Sequence, residues 1–364
     1  MTVDISAREE APSIGSGPSR GILTTGTGAV ETAALGAFRL DSGVVVPDLV
    51  VAYRHDGPPP SEAPQVLVVH ALTGSADAAG DWWEPLIGRG RALDTERFGV
   101  VAANLLGGRY GTTGPTSRDP ATGRPYGSAF PHVTVRDQAR AQWRFLDALG
   151  AERLALVTGG SLGGMVALEV ALERPGAVDH VVPIAAPAAT GPLAVAWNRI
   201  QIELIERLGV DGLSLARQLA MTTYRSEVDF DERFGRRIER DGRASIVSYL
   251  DHQGQKLVER FDGDTYRVLA AAMDTHDIGA DRGGLIAALR ALAANRVRLT
   301  GVGIEGDILY GPRQVQVLVD AASDAGVDAR YRELHSSKGH DAFLVEWPQL
   351  TEILAEALVP VAVR

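Results

Sequence analysis

The residue with the clearest chemical potential in this chain is Ser161, which stands between glycines. The segment around it, Gly159-Gly160-Ser161-Leu162-Gly163, has the G-x-S-x-G spacing. An apolar run precedes it and a helical pattern follows, so we predict that the serine lies on a sharp turn from a strand into a helix. Such a turn strains the backbone and leaves little room beside it, which explains the glycines. An ordinary glycine-rich turn can have the same pattern, so the partners of the serine must decide the interpretation.

A serine hydroxyl becomes an effective nucleophile only when a base takes its proton and a third group orients that base. For a serine on this kind of turn, the partners follow along the chain in the order serine, acid, histidine. Five histidines follow Ser161. We favour His340, on a glycine-preceded loop after the last predicted strand, and His335 is the second choice. Packing or surface roles are expected for the other three: His180, His252 and His276.

The acid is expected on the loop after the preceding strand, where the sequence has two carboxylates close together. Asp307, just past a glycine, is the favoured acid, and Glu305 is the alternative. A single aspartate on a loop is more often a turn or cap residue. The order and loop placement of all three residues therefore carry this prediction.

An acyl transfer also needs hydrogen-bond donors for the oxyanion of its tetrahedral intermediate. One predicted donor is the backbone N–H of Leu162, the residue after the serine. The other is the N–H of Leu72, on the loop after the strand that ends at His70. Because both groups belong to the main chain, the side chains at these positions are free to vary.

Composition narrows the classes of function. Of the 364 residues, 45% are hydrophobic and 23% are charged, as in an ordinary folded protein. A net charge of -10 gives no support for binding to nucleic acids or anionic membranes. The sequence has no cysteine, which excludes disulfides, thiolate metal sites and a cysteine nucleophile. The sequence shows no bilayer-spanning stretch and no signal peptide, so we expect a cytoplasmic protein without nucleic-acid or membrane partners.

The elements that must position these residues alternate between strands and helices. An antiparallel start is predicted, followed by parallel strands and then by a segment of helical patterns from about 186 to 284. Predicted strands cover 37–40, 44–53, 66–69, 98–105, 154–157, 181–185, 297–302 and 329–334, and predicted helices cover 136–149 and 344–358. We expect a flexible tail over 1–28, an α/β core over 29–185 and 290–364, and a helical lid insertion over 186–289.

Several stretches together resemble the homoserine O-acetyltransferase family, the acyl-CoA-dependent branch of the α/β-hydrolases. The resemblance extends from about Gly36 to Leu358 and includes HALTGSAD, GGSLGGMVALE, SYLDHQGQKLVERFD, GDILYGPRQ and GHDAFL. It implies an α/β-hydrolase fold: a mostly parallel sheet with helices on both faces and an all-helical lid. It also implies Ser161, Asp307 and His340 as the catalytic triad, in agreement with the order of the residues.

The resemblance further implies that Arg217 and Asp341 hold an amino-acid substrate. A guanidinium can bind a carboxylate through two hydrogen bonds, and a carboxylate can bind an ammonium group. Without the resemblance, Arg217 would be a solvated arginine on an amphipathic helix and Asp341 a helix cap. Arg109 departs from the family, which often has a cysteine there. An arginine near the site is compatible with a longer acyl group that bears a carboxylate.

The activity that the resemblance implies is acetyl transfer from acetyl-CoA to the hydroxyl of L-homoserine through an acyl-serine. Acetyl-CoA is then a co-substrate, with no metal and no bound prosthetic group, and the lid keeps water from the acyl-enzyme. The lid helices carry more apolar surface than a lid alone would bury, so we expect a homodimer through the lid. The alternatives are a serine or homoserine O-succinyltransferase, a serine esterase of the same fold, and a non-catalytic binding member of the fold.

Overall fold

The computed structural model describes residues 23–359, so most of the predicted N-terminal tail lies outside the described residues. In this part of the chain, eight strands form one sheet in the order β1-β2-β4-β3-β5-β6-β7-β8. Their bounds are β1 Val30–Arg39, β2 Val45–Asp56, β3 Gln65–Val69, β4 Gly99–Ala103, β5 Leu154–Gly160, β6 His180–Ile184, β7 Arg298–Ile304 and β8 Ala329–Leu334. Strand β2 pairs antiparallel with β1 and β4, and every other neighbouring pair is parallel. The sheet is therefore mostly parallel, as predicted.

Ten α-helices lie within residues 23–359. Their bounds are α1 Val135–Leu149, α2 Leu162–Glu173, α3 Pro192–Leu208, α4 Val210–Tyr224, α5 Glu227–Arg233, α6 Ser245–Arg260, α7 Gly263–Asp274, α8 Leu285–Ala294, α9 Pro312–Asp324 and α10 Trp347–Ala357. Short 3₁₀ segments occur at Glu84–Leu86, Gly127–Ala129, Pro175–Ala177 and Gly339–Leu344. None of the helices described is both long and apolar enough to cross a membrane.

The sheet is covered on both faces, which explains the continuous apolar runs in its central strands. Every residue of β3, β4 and β6 is buried. Helices α1, α2, α8 and α9 contribute to an apolar cluster on one face. Helix α10 and the segment Glu84–Leu86 contribute to a second cluster on the other face. The predicted architecture of helices on both faces is confirmed.

The first strand is longer than predicted. Strand β1 begins at Val30, whereas the sequence pattern indicated a strand from Ala37. β1 is an edge strand, and most of its side chains are exposed or half-buried. An edge strand of this kind lacks the apolar run by which a buried strand is recognised.

The helical insertion leaves the sheet after β6 and returns before β7. Helices α3, α4, α6 and α7 pack on one another above the carboxyl ends of the strands, whereas α8 packs against α2 and α9 of the core. Helix α8 spans the predicted boundary at 289/290. The two ends of the insertion pair as an isolated antiparallel bridge between Ala189 and Asp277. A second isolated bridge, between Ile238 and Ala244, lies in the loop that joins α5 to α6.

Candidate active site

Ser161 occupies the predicted turn between β5 and α2, in a strained backbone conformation. Its φ of 57° and ψ of -125° lie in a region that side-chain-bearing residues rarely adopt. The turn is held by backbone hydrogen bonds, since the Ser161 N–H donates to the Ile184 carbonyl at 2.9 Å and the Ser161 carbonyl accepts from Gly164 and Met165. The hydroxyl makes no capping bond to its own helix and lies on the wall of a cavity.

The glycines beside Ser161 are required by close packing. A Cβ at Gly159 would lie 2.4 Å from the carbonyl oxygen of Val69, and a Cβ at Gly163 would lie 2.2 Å from the same atom. A Cβ at Gly160 would lie 2.4 Å from the ring of Phe343. The end of β3 and the loop that carries His340 therefore press against the turn, and only glycine leaves room for them.

Asp307 and His340 are in direct contact. Oδ2 of Asp307 lies 2.7 Å from Nδ1 of His340, and both residues are buried. The other carboxylate oxygen accepts hydrogen bonds from the N–H groups of Leu309 and Tyr310 at 2.8 and 3.0 Å. These bonds fix the carboxylate, which in turn fixes the imidazole with Nε2 turned away from Asp307.

The free nitrogen of His340 is in a position to act as a base. Nε2 has no hydrogen-bond partner among the described residues. Tyr224, Tyr310 and Phe343 surround the ring, with centroids 5.7 to 5.8 Å from it. Burial by itself lowers the pKa of His340, but the adjacent Asp307 carboxylate, with a contribution from Asp341, raises that pKa above its ordinary value. An imidazolium at this position is therefore stabilised.

One cavity of about 730 Å³ connects these groups to solvent. Ser161 and His340 both line it, under the lid and at the carboxyl ends of the strands. Leu72, Arg217 and Asp341 line the same cavity. The structure thus places a serine, an acid-supported histidine and two charged side chains around one space, at the edge where parallel α/β sheets bind their ligands.

The alternative base and acid lie together elsewhere. His335 Nδ1 is 3.2 Å from Glu305 Oε2, and both side chains are largely exposed, outside the cavity. His180 is buried between the Ala357 carbonyl and the Thr300 hydroxyl. His276 bonds to a backbone carbonyl and His252 is exposed on α6. None of these four histidines lines the cavity around Ser161.

The predicted oxyanion donors are available for a ligand. Neither the N–H of Leu72 nor that of Leu162 donates to a backbone carbonyl in the part of the chain described. His70 shapes the loop that carries Leu72, because its Nδ1 lies 2.7 Å from the Ala71 carbonyl and its Nε2 accepts from the Leu105 N–H. Burial lowers the pKa of His70 to about 4, so it is neutral and holds this loop as a structural residue.

Arg217 and Asp341 each contact a residue at the end of α4: Arg217 contacts Tyr224, and Asp341 contacts Arg225. The Arg217 guanidinium stacks over the Tyr224 ring, 5.4 Å from its centroid. Asp341 Oδ2 lies 3.2 Å from Nε of Arg225, in an ion pair. Burial raises the pKa of Asp341, against the opposing effect of Arg225, Arg217 and His340. Sequence reasoning assigned no role to Tyr224 or Arg225, although both fall in the stretch MTTYRSEVDFDERFG.

An ionic cluster around the buried Asp229 ties the lid to the loop that carries His340. Asp229 of α5 has a side chain with no exposed surface and lies 2.6 Å from Lys338 Nζ, with Arg225 and Arg233 within 3.8 Å. The Ser226 hydroxyl also donates to the Ser337 carbonyl. We call this set of contacts the lid–loop clamp. The lid and the histidine loop are therefore joined directly, two residues before His340.

Arg109 is bound elsewhere in the structure. Its guanidinium forms a 2.9 Å ion pair with Asp262, the N-cap residue of α7, and Arg109 does not line the cavity. The reason for expecting a carboxylate-bearing acyl group beside Arg109 is thereby weakened. Residues 23–359 contain no cluster of three or more histidine, aspartate or glutamate side chains that could hold a metal ion.

The sheet order, the serine on its strained turn and the acid–histidine pair define an α/β-hydrolase. A family model described as the alpha/beta hydrolase fold matches residues 64–267, more than half of the chain.

Two curated relatives and one solved structure identify the branch. The homoserine O-acetyltransferase of Moorella thermoacetica is 41% identical over 347 residues, which cover 87% of this chain and 92% of the relative. That of Thermus thermophilus is 46% identical over 323 residues, 81% of each chain. The structure of homoserine O-acetyltransferase from Staphylococcus aureus is 31% identical, has a TM-score of 0.77, and covers 92% of this chain and 97% of its own. The chain belongs to the homoserine O-acetyltransferase family of enzymes, and the resemblance predicted from the sequence is confirmed.

Proposed function

We propose that this enzyme transfers the acetyl group of acetyl-CoA to the hydroxyl of L-homoserine through an acyl-serine intermediate. One observation carries the proposal. His340, bonded to Asp307, has a free Nε2 on the wall of a cavity that also contains Ser161, Arg217 and Asp341. The first three residues supply covalent catalysis, and the last two supply opposite charges for a zwitterionic acceptor.

In the first half-reaction, His340 Nε2 takes the proton of Ser161 as Oγ attacks the thioester carbonyl carbon. The oxyanion of the tetrahedral intermediate accepts hydrogen bonds from the N–H groups of Leu72 and Leu162. The carbon–sulfur bond then breaks, and the departing thiolate takes the proton from His340. Free coenzyme A and an acetyl ester of Ser161 result.

In the second half-reaction, the hydroxyl of homoserine replaces coenzyme A. Arg217 binds the carboxylate of the acceptor and Asp341 binds its ammonium group, which directs the hydroxyl toward the acetyl-serine. His340 takes the hydroxyl proton as the oxygen attacks the ester carbon. Ser161 Oγ leaves with that proton, and O-acetylhomoserine is formed.

The lid favours transfer over hydrolysis. Water would cleave the acetyl-serine through the same base, so acceptor binding must compete with water in the cavity. Helices α4 and α6 provide that cover, since Arg217 and Leu257 both line the cavity. An esterase with the same triad has no need of a paired cation and anion opposite the serine.

The test is the release of free coenzyme A by the purified protein. Acetyl-CoA and succinyl-CoA are each combined with L-homoserine, L-serine or no acceptor. We expect fast release only with acetyl-CoA and homoserine, and loss of release in Ser161→Ala with an unchanged circular dichroism spectrum. Release independent of the acceptor would indicate an esterase, and preference for succinyl-CoA or serine would assign a sister activity.

We also propose a homodimer that forms through the lid. Four large apolar side chains on α3 and α4 are at least 49% exposed: Leu193, Ile200, Leu208 and Val210. Apolar residues concentrated on two adjacent helices favour an interface. The cytoplasmic location stays a prediction.

A further inference from the structure

Helix α6 forms one wall of the cavity with a single face. Gln253, Lys256, Leu257 and Arg260 line the cavity, at spacings of three and four residues that place them side by side on a helix. Leu257 is buried and Lys256 is exposed, so this face runs from the interior to the rim. Lys256 and Arg260 therefore lie at the mouth.

This wall is held in place at two points. At Gly254, α6 packs so closely on α4 that a Cβ would lie 2.3 Å from the Ser214 hydroxyl oxygen. At its end, Arg260 donates to the Thr73 carbonyl at 2.8 Å, which connects α6 to the loop that carries Leu72. The positions of the two cations relative to the oxyanion donors are thus set by the fold.

The charges of Lys256 and Arg260 are not neutralised within the part of the chain described. Neither forms an ion pair with a carboxylate within 4.0 Å. The hydrogen-bond partners of Arg260 are the neutral groups of Thr73 and Tyr110. Two cations without counter-ions, one helical turn apart at a cavity mouth, attract an anion.

Lys256 is also unusual in its residue type, because lysine is rare in this sequence. Only two of the 36 Lys and Arg residues are lysines. Lys338 is bound to Asp229 in the lid–loop clamp, whereas Lys256 is exposed at the mouth. A lysine presents a mobile point charge, which suits phosphate groups that approach at varied angles.

Two carboxylates, those of Asp77 and Asp81, also line the cavity, and Asp77 is paired with Arg54. A polyanion that enters the cavity is therefore attracted to the cations of α6 and repelled by Asp81. In a chain of net charge -10, this local cationic face is what allows such a ligand to approach.

We propose that Lys256 and Arg260 bind the phosphate groups of the coenzyme A portion of the donor while its thioester reaches Ser161. This inference rests on the proposed function and adds the subsite that anchors the donor. No glycine-rich phosphate loop is involved, so recognition depends on charge.

The kinetic test compares acetyl-CoA with S-acetylpantetheine, which has the same thioester arm without the phosphates. For Lys256→Gln we expect the KM for acetyl-CoA to rise about tenfold, with unchanged kcat and unchanged KM for homoserine. The KM for S-acetylpantetheine should stay as in the parent enzyme, and Lys256→Arg should restore most of the affinity. An unchanged KM for acetyl-CoA, or an equal rise for both donors, would overturn the proposal.

Arg290→Gln is the matched control, because Arg290 is an exposed helical cation outside the cavity. It removes the same charge, and we expect no change in either KM. A rise equal to that of Lys256→Gln would show that net charge alone governs donor binding, against the proposed subsite.

A second readout does not require turnover. Pyridoxal 5′-phosphate followed by borohydride labels accessible lysines, and the modified Lys256 appears in the tryptic peptide of residues 244–260. We expect coenzyme A to protect Lys256 and pantetheine not to protect it. Labelling that coenzyme A leaves unchanged would overturn the subsite even if acetyl transfer is active, whereas protection without transfer would refute the proposed function alone.

Discussion

At the scale of single residues, the pKa of His340 is raised by the negative charges near its ring. The imidazole is buried among three aromatic rings, yet the adjacent carboxylates hold its pKa above the ordinary value. In its proposed role as a base, His340 must be neutral. Activity should therefore rise with pH through a pKa above the usual histidine value, and fall as the imidazole becomes protonated below it.

Asp341→Asn tests this electrostatic account. Removing the carboxylate takes away one of the charges that stabilise the imidazolium, so the pKa of His340 should fall and the acidic limb of the profile should move to lower pH. The measurement is the pH dependence of acyl-enzyme formation from acetyl-CoA without an acceptor. A limb that stays in place would mean that Asp341 affects only acceptor binding.

The site residues that lie in sequence motifs were predicted, whereas those whose roles depend on contacts in the folded protein were not. The order of Ser161, Asp307 and His340 follows from local patterns, and the structure brings the latter two together. Tyr224 and Arg225 could not be assigned, because their roles depend on how the lid lies over the cavity. The ion pair of Arg109 could not be predicted for the same reason, because its partner Asp262 is distant in sequence.

At the scale of elements, the lid–loop clamp connects α5 to the segment before His340. Gly339 shows how tight the connection is, since its φ is 64° and a Cβ there would lie 2.7 Å from the Ser226 nitrogen. We therefore expect Lys338 to position His340 through the backbone of their shared loop.

Lys338→Met should slow acyl-enzyme formation about tenfold, because the loop loses its ion pair with Asp229 and His340 loses its alignment with Ser161. The KM for homoserine should change little. The measurement is single-turnover acylation with acetyl-CoA, beside the urea midpoint of the same sample.

Lys338→Arg serves as the control, since it keeps the charge and should recover most of the rate. If Lys338→Met lowers the urea midpoint but acylates at the parent rate, the clamp contributes only stability.

The elements recognised from sequence were those with strong periodicity. Buried strands such as β3 and β4 are continuous apolar runs, and α1 has a clear apolar face that begins at the Thr134 cap. The exposed edge strand β1 was predicted too short, because its pattern is set by pairing with β2 and not by burial.

At the scale of the whole molecule, a buried histidine makes stability depend on pH. Burial lowers the pKa of His180 to about 4, below the ordinary value of 6.5. The folded state therefore takes up the proton less readily than the unfolded chain. The contribution of His180 to the free energy of unfolding is complete above about pH 6.5 and is lost as the pH falls toward 4. By pH 5 the protein has lost about 2 kcal/mol of this stability.

His180→Gln should reduce this acid sensitivity, because the glutamine does not titrate. The free energy of unfolding from urea titrations at pH 7 and pH 5 should differ by about 2 kcal/mol less in the variant than in the parent. His252→Gln, at an exposed site on α6, should leave the difference unchanged. If this difference between pH 7 and pH 5 is equal in all three proteins, His180 does not cause the loss of stability in acid.

The proposed dimer is tested by one charge on the exposed lid surface. Val210 is 66% exposed at the start of α4, so Val210→Asp should leave the monomer folded while it destabilises an apolar interface. Light scattering after size exclusion should show a dimer for the parent and a monomer for the variant. A parent protein that is monomeric at all concentrations would refute the proposal.

The pairing between the two ends of the insertion bears on how this chain can change. The Thr190 N–H donates to the His276 carbonyl at 2.9 Å, and the Ile278 N–H donates to the Ala188 carbonyl at 3.0 Å. The chain therefore enters and leaves the lid at one place, where these two segments pair. The entropy of closing a loop grows only with the logarithm of its length, by about 0.6 kcal/mol for each doubling. Evolution or design can thus change the length of the lid at a small cost in closure entropy, provided that a new lid keeps the ion pair between Asp229 and Lys338 and the apolar contacts that the lid shares with the core.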